Sequence, residues 1–179
     1  QKLALGTVQL GLHYGIANSS GRIELDEAVR ILSFARINAI NLLDTAIAYG
    51  NSEQVLGKVG TDGFWIVTKL PPLPKDVVDI ARWVTSQVFE SLARLGQTKI
   101  YGLLLHRSED VFGSRGAQLI QALASLKANG FVQKIGVSVY NPNELVEVCK
   151  KINLDLVQVP LNIVYRRFHI DGWLDRLKN

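Results

Sequence analysis

Residues 40–50 read Ile40-Asn41-Leu42-Leu43-Asp44-Thr45-Ala46-Ile47-Ala48-Tyr49-Gly50. An apolar run ends in a carboxylate, and a phenol follows five positions later, beside a turn glycine. Short, nearly continuous apolar runs suit strands of a parallel sheet covered on both faces. On that reading Asp44 stands at the C-terminal end of a strand and Tyr49 in the loop beyond it.

The same form recurs along the chain. Strands are expected at Leu3 to Val8, Ile40 to Leu43, Phe64 to Thr68, Ile100 to Leu105, Lys134 to Val137 and Leu154 to Val159. Longer amphipathic runs lie between them. Asp76 to Leu95 carries Val77, Ile80, Val84, Val88, Leu92 and Leu95 at helical spacing, and Gly96 follows as a stop. Ala117 to Asn129 repeats the pattern with Ile120, Leu123 and Leu126, and ends at Gly130. Leu25 to Ile37 is closed by Asn38, a residue that tolerates the left-handed conformation. Asn141, Pro142 and Glu144 read as an N-cap, a first helical position and a reciprocal cap. A last helix is expected from Ile170 to Lys178.

Strand–helix alternation calls for right-handed parallel crossovers. A doubly wound sheet and a (β/α)8 barrel both satisfy it. The polar residues choose between them. Gln9, Asp44, Lys69, His106, Ser138 and Gln158 each fall at or just past the C-terminal end of a successive strand. In a barrel those ends converge on one mouth. An open sheet would spread them, and no Gly-rich phosphate loop follows the first strand. The expected fold is a (β/α)8 TIM barrel, truncated after about six βα units because full barrels run to about 250 residues. Residues 1–179 are read as one such domain without strands seven and eight.

Composition narrows the function classes. Apolar residues make up 47% and charged residues 20%, as in a soluble globular protein. The net charge of +4 is mild and no Lys/Arg run is present, so neither nucleic acid nor a membrane is expected as a partner. The single cysteine, Cys149, excludes an internal disulfide framework and reads as a structural thiol. No leader or membrane-length apolar run is evident, which makes the cytoplasm the default. A start at Gln1 and the absence of methionine fit a piece of a longer protein. No metal site is expected, and oligomeric state is not legible.

Four ionisable residues share the expected mouth: Asp44, Tyr49, Lys69 and His106. Each has a plain alternative. Asp44 could cap the following helix, Tyr49 could be a half-buried aromatic with a wet hydroxyl, Lys69 a solvated strand end, and His106 a partner for a loop carbonyl. Together they suit proton donation to a carbonyl oxygen that is becoming negative. An ammonium beside a phenol favours phenolate, a carboxylate fixes the ammonium, and an imidazole can bond the substrate oxygen. His13 and His169 lack this company and read as loop or surface residues. His13, Tyr14 and Arg107 are candidates for pocket wall, although Arg107 reads more simply as paired with Glu109.

The chain resembles the aldo-keto reductase superfamily. The resemblance rests on Ile40 to Ala46, Tyr49-Gly50, Ser52-Glu53, Leu56-Gly57, Val67-Thr68-Lys69, Leu104-Leu105-His106, Ile135-Gly136-Val137-Ser138 and Val157-Gln158-Val159, in order and spacing. It implies a (β/α)8 barrel that reduces aldehydes and ketones with NADPH, sometimes NADH. The implied tetrad is Asp44, Tyr49, Lys69 and His106, with Tyr49 the general acid, Lys69 lowering its pKa, and His106 orienting the carbonyl. Ser138 and Gln158 would hold the nicotinamide carboxamide, Gly6 and Thr7 would lie along the nicotinamide end, and Asp44 would approach the ribose. Two departures stand out. Val139 replaces a customary Asn, and Ala39 a customary Gly, with Asn38 expected to make that turn. The family's cofactor contacts from strands seven and eight lie outside this sequence. Two rival readings remain: a Schiff-base aldolase acting through Lys69, and a cofactor-binding regulatory subunit with little turnover.

Overall fold

The computed structural model describes residues 3–177. Among these, six parallel strands form one sheet whose spatial order is the order of sequence: β1 (Leu5–Gly6), β2 (Leu42–Asp44), β3 (Trp65–Leu70), β4 (Ile100–Leu105), β5 (Val132–Ser138) and β6 (Leu156–Gln158). The intervening helices are α1 (Val8–Gly11), α2 (Leu25–Ile37), α3 (Ser52–Val59), α4 (Ile80–Leu95), α5 (Gly113–Ala128) and α6 (Pro142–Cys149). After β6 come two short helices, α7 (Arg167–Ile170) and α8 (Trp173–Arg176). A sheet that never changes direction of winding curls on itself, and here a side chain of β6 reaches one of β2 across the concave face. The architecture is the expected (β/α)8 barrel through its sixth strand.

Register brings the strand ends level. Gly6 pairs with Asp44, Asp44 with Val67, Lys69 with Leu104, and Ser138 with Gln158. The helical layer packs against the convex face. Ile80, Val84, Val88, Leu92 and Leu95 of α4 are buried, as are Leu119, Leu123 and Leu126 of α5. Against β1 to β3, α2 contributes Ala28, Leu32 and Ala35, and α3 contributes Leu56. Each fully buried Leu or Val stabilises the fold by about 1.5–3 kcal/mol relative to exposure.

Several expected boundaries shift for local reasons. The first strand ends at Gly6, because Val8 to Gly11 turn into α1. The long helix starts at Ile80, where Asp79 accepts a hydrogen bond from the Arg82 amide. The N-cap appears as read, with Asn141 accepting from the Glu144 amide, but Glu144 reaches back one residue further, to the Tyr140 amide. The single helix expected from Ile170 is interrupted at Gly172, whose φ of +72 no regular helix accommodates; its end at Lys178 lies outside the described residues. The left-handed residue after α2 is Ala39, with φ +56, and not Asn38, whose φ is −94.

Candidate active site

The strand ends bring Asp44, Tyr49, Lys69 and His106 into one cluster at the mouth. Lys69 leaves β3 toward the concave side and is almost wholly enclosed, 1% exposed. Its ammonium donates to Asp44 Oδ1 at 2.6 Å, to the Thr45 carbonyl at 2.9 Å and to Tyr49 Oη at 3.4 Å. An ammonium has three N–H groups, so all three are engaged. The same nitrogen lies 4.9 Å from the centre of the Tyr49 ring. His106, just past β4, meets that ring edge-on, with centroids 6.1 Å apart and planes at 82°.

Tyr49 is held from behind. Gly11, at the end of α1, packs so closely that a Cβ there would lie 1.8 Å from the Tyr49 carbonyl oxygen and 2.6 Å from the Ser52 nitrogen. Only glycine permits that approach. Below the loop, Ser52 Oγ donates to the Thr7 carbonyl at 2.9 Å and lies 3.1 Å from both the Thr7 and Thr45 hydroxyls. Thr7 in turn donates from its hydroxyl and its amide to the Asp44 carbonyl, at 3.0 and 2.9 Å.

The protonation states follow from these surroundings. Burial first, then the Asp44 charge and the nearby Tyr14 and Tyr140 phenols, push Tyr49 up from 10.0 to about 12. This reverses the expected direction. Lys69 sits closer to the carboxylate than to the phenol, so the pair presents little net positive charge to the ring oxygen. His106 is held below its ordinary 6.5 by burial and then by the Lys69 charge, with Asp44 opposing. Its neutral ring offers one N–H donor. Asp44 does not cap a helix: its second oxygen accepts from Gln158 Nε2 at 3.0 Å.

On the concave face lies a cavity of about 540 Å³, lined by Ala4, Leu42, Asp44, Val67, Leu104 and Gln158 among others. Gly6 is exposed, and a Cβ there would meet nothing within 4 Å. Ser138 and Gln158 pair in register at the same rim. Thr7 is 2% exposed with its hydroxyl engaged by Asp44 and Ser52, so its side chain acts on the site through Asp44. Around the mouth, Gln9 donates to the Tyr14 carbonyl, His13 contacts the Asn18 carbonyl, and Arg107 lies 3.6 Å from Glu109. Cys149 and His169 stand away from this cluster, on α6 and α7.

The sequence profile of the aldo/keto reductase family matches residues 2–176. The chain belongs to the aldo/keto reductase family. Comparison with curated proteins gives no match. Among solved aldo-keto reductase structures it is similar to PA4992 of Pseudomonas aeruginosa, assigned to this family, at 28% identity and a TM-score of 0.79, covering 97% of this chain and 68% of that one. It is also similar to AKR11C1 from Bacillus halodurans, holo form, at 24% identity and TM-score 0.76, covering 98% and 58%. A third likeness is to AKR2E4 of Bombyx mori in complex with NADP, at 22% identity and TM-score 0.70, covering 96% and 59%. The last two likenesses show the fold alone. The chain thus spans about three fifths to two thirds of the length of these aldo-keto reductases.

One departure from the aldo-keto reductase pattern is explained by packing. Val139 is 1% exposed and belongs to the apolar core, so its side chain does not reach the mouth. Other residues of the family signature had no role assigned from sequence. Glu53, on α3, accepts from Thr68 at 2.8 Å, Ser91 at 2.6 Å and Arg94 at 2.8 Å, and is 2% exposed. The signal was present: Ser52, Glu53 and Leu56 share one helical face, and an apolar position on that face is occupied by a carboxylate. A buried charge needs a partner, and Arg94 supplies it from α4. Among the described residues no group of three or more His, Cys, Asp or Glu could hold a metal, and no helix is long and apolar enough to cross a membrane.

Proposed function

We propose that the chain carries the catalytic mouth of an NADPH-dependent reductase of aldehydes or ketones, with NADH as the alternative cofactor. The observation that carries this reading is the Lys69 ammonium, held by Asp44 at 2.6 Å and by Tyr49 at 3.4 Å beside an open cavity. Residues 1–179 are taken as one barrel domain without strands seven and eight.

The residues at the rim suit a nicotinamide. Gly6 leaves open space, Ser138 and Gln158 offer polar groups side by side, and Asp44 and Gln158 line the cavity. Ser138 and Gln158 would hold the carboxamide. Gly6 would line the nicotinamide end, Asp44 would face the ribose, and Thr7 would contribute by fixing Asp44. When bound, the reduced nicotinamide supplies a hydride to the carbonyl carbon. Membership of the aldo/keto reductase family supports a nicotinamide cofactor.

Tyr49 is the general acid. At about 12 its phenol stays protonated through any working pH, so a proton is always in place. An alkoxide oxygen forming at the carbonyl is more basic than phenolate, so transfer from Tyr49 Oη runs downhill. The phenolate left behind faces the Lys69 ammonium, which stabilises it as charge arrives. Neutral His106 donates its N–H to the carbonyl oxygen and sets its angle to Tyr49. Substrate specificity rests with the loops around the mouth, where exposed Tyr14 and Tyr140 stand near the acid.

The full engagement of Lys69 weighs against the Schiff-base reading, which needs a neutral amine free to attack a carbonyl. The test is loss of reduced-nicotinamide absorbance on adding a panel of aldehydes and ketones to the full chain. Turnover with at least one carbonyl supports the proposal. NADPH binding with no turnover points to a regulatory subunit, and borohydride trapping of a carbonyl on Lys69 points to an aldolase.

A further inference from the structure

The bond that crosses the concave face joins β6 to β2: Gln158 Nε2 donates to Asp44 Oδ2 at 3.0 Å, between residues 114 apart in sequence. Asp44 has two oxygens and divides them. Oδ1 goes to Lys69 at 2.6 Å and Oδ2 to Gln158, while its backbone carbonyl is held by Thr7. Asp44 is otherwise free to turn about its terminal torsion, which is broad for a carboxylate. Its side chain is 24% exposed, so water competes for the second oxygen. A donor fixed at the end of a strand removes that freedom. Gln158 is so fixed, since its carbonyl accepts from the Val139 amide at 3.0 Å and its register partner is Ser138.

We infer that Gln158 is a positioning residue for the Asp44–Lys69 pair, linking the nicotinamide end of the cavity to the proton donor. The inference rests on the reading above for its link to the cofactor, but the Gln158–Asp44 bond belongs to the protein alone. A primary amide has two donors and one acceptor group. With Nε2 on Asp44, Oε1 remains to accept from a carboxamide N–H. The chain of bonds then runs from Gln158 through Asp44 Oδ2, Asp44 Oδ1 and Lys69 to Tyr49 Oη. Ser138 lies at the same rim without a bond to Asp44 and is the natural control.

The test compares Gln158→Met, Gln158→Glu and Ser138→Ala in the full chain. One readout needs neither cofactor nor activity: hydrogen exchange of the Lys69 ammonium, followed by its ¹H–¹⁵N signal in the free protein. Lys69 is 1% exposed with three acceptors, so exchange is slow in the parent. Losing the bond to a charged group is expected to speed it about tenfold in Gln158→Met. Gln158→Glu keeps size and the Oε1 acceptor but sets a carboxylate against Asp44, and is expected to speed exchange further. It also serves if the methionine variant folds poorly. Both variants lower kcat about tenfold, beyond any change in NADPH affinity. Ser138→Ala weakens NADPH binding and leaves the Lys69 signal unmoved. Lys69 exchange equal to the parent in both Gln158 variants overturns the inference. If the parent binds no NADPH, the carbonyl-reductase reading falls, and the ammonium comparison still decides the role of Gln158.

Discussion

Two carboxylate–cation pairs sit on opposite sides of one strand. Asp44 and Lys69 meet at 2.6 Å on the concave side, and Glu53 and Arg94 meet at 2.8 Å on the convex side. β3 divides them. Adjacent residues of a strand face opposite ways, so Lys69 points to Asp44 while Thr68 donates to Glu53 behind it. Glu53 is closed in by Thr68, Ser91 and Arg94, and its side chain is 2% exposed. Asp44 keeps 24% of its side chain exposed and lines the cavity, and its lysine reaches the Tyr49 phenol. The same chemical pair is a tie where water is shut out and, in the proposed function, a proton-handling group where it meets a cavity. Position relative to the sheet, and not residue type, separates the two.

That contrast is sharpest under substitution. Lys69→Met removes the mouth pair's cation and the partner of an incoming phenolate. Turnover per folded molecule should fall on the order of a thousandfold, measured as carbonyl-dependent NADPH oxidation. Glu53→Gln breaks the other pair and leaves Arg94 with Glu90 alone, at 3.6 Å on the solvent side. Stability should fall by about 1.5–3 kcal/mol, the usual worth of hydrogen bonds to a charged group, while turnover per folded molecule changes little. Denaturant unfolding beside kinetics separates the two effects. Collapse of turnover with stability intact would show that the convex pair also does chemistry.

The pH response gives a smaller effect. Burial and Lys69 hold His106 below 6.5, so the folded chain binds fewer protons there than the unfolded one. Its contribution to stability is complete above 6.5 and is lost as pH falls below it. Turnover should likewise stay flat through 6.5 and decline only in more acid solution. At the alkaline end, a phenol at about 12 gives no loss of reduction through the range in which an ordinary tyrosine ionises. An acid limb at the ordinary imidazole position would contradict the burial of His106 at the mouth.

The smallest effect lies far from both pairs. Ala39 holds φ +56, a conformation that costs a residue with a Cβ roughly 1–2 kcal/mol. Ala39→Gly should raise stability by about 1 kcal/mol, seen as a higher denaturant midpoint with unchanged turnover.

Much of this arrangement was legible in the sequence. Alternating strand and helix periodicity gave the parallel sheet, and polar residues at successive strand ends gave the barrel and its mouth. What escaped depends on distances that no pattern encodes. The phenol moves up because the fold buries it and sets the Asp44 charge beside it, while Lys69 stands nearer Asp44 than Tyr49 by less than 1 Å. Asn38 was favoured for the left-handed turn on residue type, but the chain turns one residue later, at Ala39. The Gln158–Asp44 bond joins two strand ends 114 residues apart and appears only once the sheet curls. Glu53 was visible as a charge on an apolar face, and its partners Ser91 and Arg94 were not, because they belong to another helix.

The most direct measurement of the central claim is Tyr49→Phe, assayed for NADPH affinity by fluorescence and for carbonyl reduction by absorbance. The ring and its packing remain, and only the proton donor is lost. The account predicts cofactor affinity close to the parent's and no measurable reduction. Reduction at the parent's rate would contradict it, because some other group would then be delivering the proton.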